Sequence, residues 1–328
     1  MENYMPPFDI TNKMFELTAE IMENLGRLSN INELEKLPRL RKVSRVKSIH
    51  SSLAIENNTL SYEQVTDIID GKKVLGPQED ILAVKNAFSA YKELDGINPY
   101  EIKDLLKIHG IMMSGLVERA GRIRSGNVGV FDSLGNVIHT APPASMVSEL
   151  TGQLFDWVKC ADIQMLIKSS VFHYEFEFIH PFNDGNGRMG RLWQTALLAS
   201  WKPVFKYIPI ESVIKDNQEQ YYEAFKISTR EGKSNAFILF MLDIINRAIK
   251  DIVGDSREHY NHLNIQINKL MQVMETYPQS AQQIMDKLNL KSRVSFRKNY
   301  ILPALEAGLI GMTIPEKPTS KNQMYFKI

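Results

Sequence analysis

The sequence predicts a mainly α-helical protein: a helical bundle with a short β-hairpin flap, followed by a small C-terminal winged helix-turn-helix. Apolar residues recur at steps of three and four along most of the 328 residues, which is the spacing of amphipathic helices. One stretch, residues 121–140, lacks this period and is rich in glycine, asparagine and β-branched residues, which is typical of a hairpin. Residues 310–314 and 323–328 are two short candidate strands near the C-terminus.

Helices are expected wherever the apolar period continues between turn signals. The predicted ranges are residues 11–28, 39–55, 62–69, 80–93, 99–116, 145–158 and 162–178, with a further helix from residue 187. Pro99 is expected at a helix start, where its missing N–H costs nothing. Asn57 and Asn58 predict the end of the second helix, because asparagine tolerates the left-handed conformation there. Residues 134–136 are expected to form the hairpin turn.

Composition excludes several classes of protein. The 39 Lys and Arg against 38 Asp and Glu give a net charge of +1, which excludes a heavily basic nucleic-acid coat and an acidic tail. Cys160 is the single cysteine, so a disulfide framework or a cysteine zinc site within one chain is excluded. The sequence contains no signal-peptide pattern and no apolar run of about 18 residues, so we expect a cytoplasmic protein without a membrane partner.

The C-terminal region, from residue 255, differs in charge from the rest, with ten basic and six acidic residues. Ser280 and Gln283 have the spacing of a capping box, and Ser292 is positioned to cap a second helix. Two helices followed by two strands resemble a winged helix-turn-helix. The basic side chains near its second helix are Lys291, Arg293, Arg297 and Lys298. They make DNA one candidate partner of this region, with a protein partner or packing against the core as the alternatives.

The segment richest in chemistry is HPFNDGNGRMGR, residues 180–191. His180 has a side chain that titrates near neutrality and could accept a proton from a hydroxyl. Gly185 and Gly187 permit a tight turn whose amides point at one ligand, and the following helix start favours an anion. Arg188 and Arg191, three residues apart, project from the same side of that helix. This combination suits a polyphosphate, and Asp184 could hold Mg²⁺ together with phosphate oxygens.

This segment matches the Fic family signature HPFx[D/E]GNGRxxR at every specified position, and residues 108–124 resemble the part of the family that precedes the flap. The resemblance implies a Fic-type helical bundle that transfers AMP from ATP, with Mg²⁺, to a hydroxyl of a target protein. It implies three regions: residues 1–98, an N-terminal helical region with an inhibitory helix; residues 99–250, the catalytic domain; and residues 255–328, the winged-helix-like domain.

The resemblance also implies roles for single residues. His180 would be the catalytic base and Asp184 the Mg²⁺ ligand. The residues expected to bind ATP and its phosphates are Asp184, Gly185, Asn186, Gly187, Arg188, Met189, Gly190, Arg191, Tyr221 and Tyr222. The flap residues expected to lie over the nucleotide and align the target by strand addition are Val137, Ile138, His139 and Thr140. Tyr221 and Tyr222 match an adenine-bordering pair, but they could equally be core aromatics.

A second pattern, SLAIEN, lies far upstream at residues 52–57. Ser52, Glu56 and Asn57 fit the inhibitory pattern [S/T]xxxE[G/N] of the family. The resemblance implies that the Glu56 carboxylate competes with phosphate for the Arg191 guanidinium, because that fork suits either anion. Glu56 could instead orient a water for removal of AMP from a modified target. The target itself, which could be this same protein, and a homodimer are both left open.

A metal hydrolase is the alternative for the motif itself. His173, His180 and Asp184 are chemically adequate metal ligands. However, this interpretation leaves the two glycines and two arginines of the motif without a role. His173, seven residues before His180 on the same helix face, is better interpreted as a core residue than as a ligand.

Overall fold

The computed structural model describes residues 4–29, 38–131, 137–275, 277–306 and 309–328, and the fold is mainly α-helical, as predicted. The chain divides into two compact units, Met1–Ile252 and Val253–Ile328. The predicted regions 1–98 and 99–250 lie in the first unit, and region 255–328 lies in the second. The predicted hairpin turn at residues 134–136 lies outside the described residues. Across the described ranges, no helix is both long and apolar enough to cross a membrane.

The helices of the first unit follow the apolar period closely. Their bounds are α1 Asn12–Ser29, α2 Pro38–Ile55, α3 Tyr62–Ile69, α4 Gln78–Lys92, α5 Ile102–Met112, α6 Ala144–Cys160, α7 Met165–Ile179, α8 Asn186–Trp201, α9 Ile210–Asp216, α10 Gln218–Glu231 and α11 Asn235–Val273, which continues into the second unit. Every apolar position of the α1 stripe is buried, namely Met14, Leu17, Ile21, Leu25 and Leu28. The period therefore identified the core-facing side correctly.

The helix predicted over residues 99–116 is shorter than expected at both ends. It begins at Ile102 because Glu101 has an extended backbone, so Pro99 lies in the preceding turn and not inside the helix. The Pro99 carbonyl instead accepts a hydrogen bond from the Trp193 indole N–H at 2.9 Å. The helix ends at Met112, beyond which the chain turns toward the hairpin.

Three packing relationships position the functional site. Helices α7 and α8 pack against each other and are joined by the loop that contains the HPFNDG segment. Helix α2 packs against α8 and α9, which brings its C-terminal end toward the start of α8. The predicted hairpin is formed by antiparallel strands β1 (Gly129–Phe131) and β2 (Val137–Thr140), and β2 contacts α10.

The second unit has its own core, to which the C-terminal end of α11 contributes. Ser280 caps α12 (Ala281–Lys287) through the predicted capping box, and Ser292 caps α13 (Arg293–Phe296). A π-helical turn, Arg297–Ile301, leads into α14 (Leu302–Glu306). Strands β3 (Gln279–Ser280), β4 (Ile310–Met312) and β5 (Met324–Lys327) form an antiparallel sheet in the order β3-β5-β4. The short β3 was not predicted from the sequence.

Candidate active site

His180 lies at the C-terminal end of α7 in the left-handed conformation, with φ of 52°. A residue other than glycine adopts this conformation rarely, so the surroundings must hold it. The Nδ1–H of the ring donates to the Glu177 carbonyl at 3.3 Å, which leaves Nε2 as the proton acceptor. Burial lowers the pKa of His180 to about 4, so the ring is neutral and able to act as a base at pH 7.

Arg124 holds the chain at His180 by binding backbone carbonyls. The guanidinium donates from Nε to the His180 carbonyl at 2.8 Å and from Nη2 to the Ile179 carbonyl at 3.3 Å. The same group donates to the Gly126 and Pro142 carbonyls on either side of the hairpin. Because Arg124 is only 3% exposed, this cation fixes the helix end and the base of the flap together.

His109 and Asn186 hold the rest of the loop. The Gly121 amide donates to His109 Nδ1 at 2.8 Å, so the ring proton is on Nε2 and is donated to the Asp184 carbonyl at 3.0 Å. The ring also stacks on Phe182, with centroids 3.6 Å apart. Asn186 exchanges two hydrogen bonds of 2.9 Å with the backbone of Phe182. The Asn186 side chain therefore points inward and supports the loop, while the phosphate-binding role expected of Asn186 stays a prediction.

Close packing against α8 requires the glycines of the motif. Gly185 has φ of +82°, and a Cβ there would lie 2.6 Å from Met113 Sδ. A Cβ on Gly187 would lie 2.4 Å from Glu56 Oε1. A Cβ on Gly190 would lie 2.6 Å from the Oε1 atom of Glu177. The first two turns of α8 thus form a notch that admits two carboxyl groups from other helices.

Arg191 is the buried cation of this notch. Its Nη2 contacts Glu56 Oε1 at 2.8 Å and the Ser52 carbonyl at 3.0 Å, and its Nε donates to Ser52 Oγ at 3.1 Å. Burial acts to lower the pKa of Arg191, but the adjacent Glu56 carboxylate, together with Tyr221 and Glu177, raises it overall. The side chain of Glu56 is 31% exposed and that of Arg191 only 1%, so Glu56 reaches the guanidinium from the cavity side.

The predicted pairing of Glu56 with Arg191 is therefore confirmed as a contact. Asn57 follows with φ of 64°, in the left-handed conformation that the sequence predicted for the end of this helix. The inhibitory role assigned to Ser52, Glu56 and Asn57 stays a prediction.

Arg188 and Asp184 form the outer pair of the site. Arg188 Nη2 lies 3.2 Å from Asp184 Oδ1, and the Asp184 side chain is 57% exposed. The Arg188 Nε atom is buried and has no hydrogen-bond partner within the described part of the chain. The described residues contain no group of three or more His, Cys, Asp or Glu side chains able to hold a metal. One exposed carboxylate fits Mg²⁺ only when phosphate oxygens and water complete the ligand shell.

A cavity of about 560 Å³ joins these groups. The predicted residues that line it are Glu56, His180, Asp184, Gly185, Asn186, Gly187, Arg191, Tyr221 and Tyr222. The lining residues that the sequence did not indicate are Asn127, Val128, Gly129, Glu177 and Asn183. The cavity thus places a base, a buried cation and a glycine-rich helix start around one space.

Other predicted residues lie outside this lining. Met189 and Gly190 are buried between helices, and Arg188 lines a smaller pocket beside Asp184 and Glu56. In the flap, His139 stacks on Phe178, while Thr140 is exposed. The side chains of Val137 and Ile138 are outside the described residues.

Tyr221 has both features that the sequence left open, because it is a buried aromatic and it lines the cavity. Its hydroxyl donates to His173 Nε2 at 3.1 Å, and His173 Nδ1 donates to Gln194 Oε1 at 2.7 Å. His173 is therefore a core residue with both ring nitrogens occupied, as the sequence favoured. Tyr222 is less buried and lies within 3.5 Å of the Gln218 amide.

Arg124, His109 and Glu177 are among the site residues that sequence reasoning missed. Arg124 and His109 lay inside the segment that preceded the flap, but nothing in a single sequence shows that they bind the loop backbone. Glu177 is three residues before His180, and its helical spacing could have placed it on the side of α7 that faces the cavity.

Comparison with known proteins shows the family of the chain. Residues 99–198 match the Fic/DOC family, and residues 265–326 match the family described as filamentation induced by cAMP protein Fic-like, C-terminal domain. A crystal structure of a Fic family protein from Desulfovibrio desulfuricans G20 is 43% identical and has a TM-score of 0.76, over 99% of this chain and 98% of that one. The chain belongs to the Fic family.

Curated relatives of this Fic protein are more distant. The protein adenylyltransferase Fic of Culex quinquefasciatus is 27% identical over 219 residues, and the one of Aedes aegypti is 29% identical over 220 residues. In each case the match covers 62% of this chain and 41% of the relative, so the chain spans about two-fifths of the length of these relatives. The structure of Fic-1 (aa134–508) from C. elegans has 20% identity and a TM-score of 0.58 over 74% of this chain and 73% of that one, which shows the shared fold.

Proposed function

We propose that this Fic protein is a protein adenylyltransferase that transfers AMP from ATP to a Ser, Thr or Tyr hydroxyl of a target protein and is inhibited by its own Glu56. The observation that supports this most is the contact of 2.8 Å between Glu56 and Arg191, within the cavity that His180 lines. Names of relatives at 27–30% identity support the same reaction class.

In the proposed reaction, the target hydroxyl oxygen attacks the α-phosphorus of ATP. The bond between the α-phosphorus and the bridging oxygen breaks, and pyrophosphate leaves. His180 Nε2 takes the hydroxyl proton, since the Nδ1–H is engaged with the Glu177 carbonyl. The amides at the start of α8 stabilise the charge that develops on the phosphate. Mg²⁺, held by Asp184 together with phosphate oxygens, would neutralise charge on the outer phosphates.

Inhibition would arise because Glu56 pairs with the Arg191 guanidinium, which the outer phosphates of ATP need. Ser52 and Glu56 occupy the Nε and Nη2 donors of Arg191, so a phosphate that binds this edge of the guanidinium must displace the Glu56 carboxylate. A triphosphate bound beside Glu56 would be shifted along the cavity, and the α-phosphorus would be misaligned for in-line attack. A misplacement of ~1 Å can lower a rate about 10²-fold.

The test uses ATP labelled at the α- or the γ-phosphate, incubated with the full chain, with Glu56→Gly and with Glu56→Gly/His180→Ala in cell lysate. AMP transfer predicts that only the α-label enters protein, most strongly with Glu56→Gly and not with the double variant. Equal labelling by both nucleotides would contradict transfer of AMP. Labelling that survives loss of His180 would contradict its role as the base.

A second candidate is removal of AMP from a modified target by the same site. The Glu56 carboxylate lines the cavity together with His180, so it could orient a water toward the phosphorus. This activity predicts release of AMP from a modified target by the wild-type chain and its loss in Glu56→Ala. Release of AMP at the wild-type rate by Glu56→Ala would exclude a role of Glu56 in it.

For the C-terminal unit, we propose a winged-helix module, and DNA is the candidate partner. Three exposed basic residues surround α13: Lys291 just before it, Arg293 at its start and Lys298 in the π-helical turn that follows it. A phosphate-binding role predicts that the full chain binds duplex DNA at low salt, that added salt weakens binding steeply, and that replacing these three residues by alanine lowers the salt slope. Absence of binding at low salt would leave a protein partner as the alternative.

A further inference from the structure

Glu177 is a buried acid in the wall of the nucleotide cavity whose role is not explained by the transfer reaction. It lies on α7 three residues before His180 and is 6% exposed. The Oε1 atom is fully buried and has no hydrogen-bond partner among the described residues. A buried polar atom without a partner is costly, and Glu177 lines the cavity, so a ligand there that bonds the carboxyl group would relieve this cost.

The residues packed against Glu177 cannot donate a hydrogen bond to its Oε1 atom. His173 Nε2 is 3.8 Å from Glu177 Oε1, which is too far for a hydrogen bond. Moreover, Nε2 already accepts the Tyr221 hydroxyl, because the proton of the ring is on Nδ1. Gly190 leaves room for the Oε1 atom but offers no donor side chain.

Two carboxyl groups flank Arg191 in the α8 notch. Glu56 Oε1 lies 2.4 Å from the position of a Cβ on Gly187, and Glu177 Oε1 lies 2.6 Å from that of a Cβ on Gly190. The two glycines are three residues apart and therefore face the same side of the helix. An anion that replaced Glu56 on Arg191 would thus lie in the same notch as the Glu177 carboxyl group.

The charge state of Glu177 depends on several groups. The titratable groups that face it are Glu56 just after α2, His173 on α7, Arg191 on α8, and Tyr221 and Tyr222 on α10. Burial raises the pKa of Glu177 to about 8; Glu56 acts in the same direction and Arg191 opposes it. Glu177 is therefore mainly a neutral carboxylic acid at pH 7, with an O–H able to donate. A neutral acid can contact a phosphate oxygen, whereas an ionised carboxylate would repel it.

We propose that Glu177 is a phosphate-binding residue, which in its neutral form donates a hydrogen bond to an outer phosphate oxygen that Arg191 holds once Glu56 has left. The proposal rests on the proposed function only in taking a nucleotide polyphosphate as the ligand of the cavity. It adds to the site a further group, besides Arg188 and Arg191, that distinguishes ATP from AMP.

The test measures ATP affinity by calorimetry in the Glu56→Gly/His180→Ala variant, which exposes Arg191 and does not consume the nucleotide. Affinity should fall roughly tenfold or more between pH 7.5 and 9.0, because only the protonated fraction of Glu177 binds the phosphate and loss of Glu56 removes one influence that raises its pKa. Glu177→Gln, added to this variant, keeps a neutral donor and should make affinity independent of pH over this range.

Glu175→Gln is the matched control, also added to the double variant. Glu175 is a buried acid on the same helix, and its pKa is raised to about 7 by burial, but it bonds Tyr4 and does not line the cavity. The pH dependence should persist in this variant. Thermal melts of each variant confirm that the fold is retained at both pH values.

Three outcomes would overturn the proposal. These are ATP affinity that is flat with pH in the double variant, pH dependence that survives Glu177→Gln, and an equal pH dependence for AMP, which has no outer phosphates. AMP transfer by Glu56→Gly is measured separately. Flat ATP affinity with active transfer therefore rejects this proposal alone, whereas absence of nucleotide binding at every pH rejects the nucleotide site as well.

Discussion

The motif loop, residues 180–187, and the inhibitory segment, residues 52–57, reach the same cavity but are held in different ways. The backbone of the loop is bound by Arg124, His109 and Asn186, through carbonyls and amides that contact no substrate group in the proposed reaction. The inhibitory segment places its carboxylate on Arg191, the guanidinium that the phosphates require.

The contacts that hold the motif loop can therefore persist when nucleotide binds, whereas the contact of Glu56 with Arg191 competes with the phosphates. Because the loop is fixed by groups that need not move, His180 can be in place before the nucleotide arrives. The Glu56 contact, by contrast, is made at the partly exposed end of its side chain, and a phosphate can replace it at the same fork. Substitutions in the two regions should therefore have opposite effects on AMP transfer.

Loss of the base, His180, should have the largest effect on the rate of AMP transfer. His180→Ala in the Glu56→Gly background should lower AMP transfer by roughly 10²–10⁴-fold, the usual contribution of a general base. ATP affinity should change little, because His180 contacts the hydroxyl and not the outer phosphates. Initial rates with α-labelled ATP give the first quantity and calorimetry the second. A rate within threefold of Glu56→Gly would show that another group takes the proton.

Release of the inhibitory contact should have the next largest effect. Glu56→Gly should raise AMP transfer by about 10²-fold, as expected when the α-phosphorus regains its alignment, while ATP affinity rises less. Arg191→Ala is the matched variant, since it also breaks the ion pair but removes the phosphate ligand as well. It should therefore lower transfer. An equal gain in both variants would show that Arg191 is not needed for the phosphates.

The sequence predicted both regions from local patterns, because each is a contiguous motif on or beside a helix. The spacing of Ser52 and Glu56 indicated one helix face, and the apolar stripe of α1 indicated its buried side. The resemblance to the Fic family, carried by both patterns, also implied that Glu56 and Arg191 meet, although they are 135 positions apart in the chain.

Groups that act on the backbone of a distant segment could not be predicted. Arg124 binds carbonyls of residues 126, 142, 179 and 180, and a carbonyl is present at every position of every sequence. The inward turn of the Asn186 side chain is likewise set by the fold and not by its neighbours in sequence. The start of α5 at Ile102 differed from the prediction because tertiary contacts of Pro99 outweighed its local preference for a helix start.

Weakening the support of the motif loop should have a smaller effect than losing the base. Arg124→Lys keeps the positive charge. However, the lysine ammonium cannot donate hydrogen bonds to carbonyls of several segments at once, as the planar guanidinium does. We expect the free energy of unfolding to fall by about 2 kcal/mol and AMP transfer in the Glu56→Gly background to fall about tenfold. Arg122→Lys, at an exposed neighbouring position, is the control and should change neither. Wild-type stability and transfer in Arg124→Lys would refute its role in holding the loop.

The smallest expected effect concerns the anchor of the inhibitory helix. The Gln218 amide, at the start of α10, donates to the Ile55 carbonyl at 3.1 Å and so holds the residue that precedes Glu56. A hydrogen bond of this kind contributes about 1 kcal/mol, so Gln218→Ala should raise AMP transfer by the inhibited chain by about fivefold. Glu219→Ala, at the exposed next position, should not.

A double-mutant cycle distinguishes this anchor from a direct effect on the nucleotide. If Gln218 acts through the placement of Glu56, Gln218→Ala should add nothing to the rate of Glu56→Gly, because the contact that it supports is already gone. If the two gains instead multiply, Gln218 acts on the cavity through Tyr222, whose hydroxyl lies 3.5 Å from the same amide. The inhibitory segment would then be held by the Arg191 contact and by its own helix, and activation would require only a competitor for that one guanidinium.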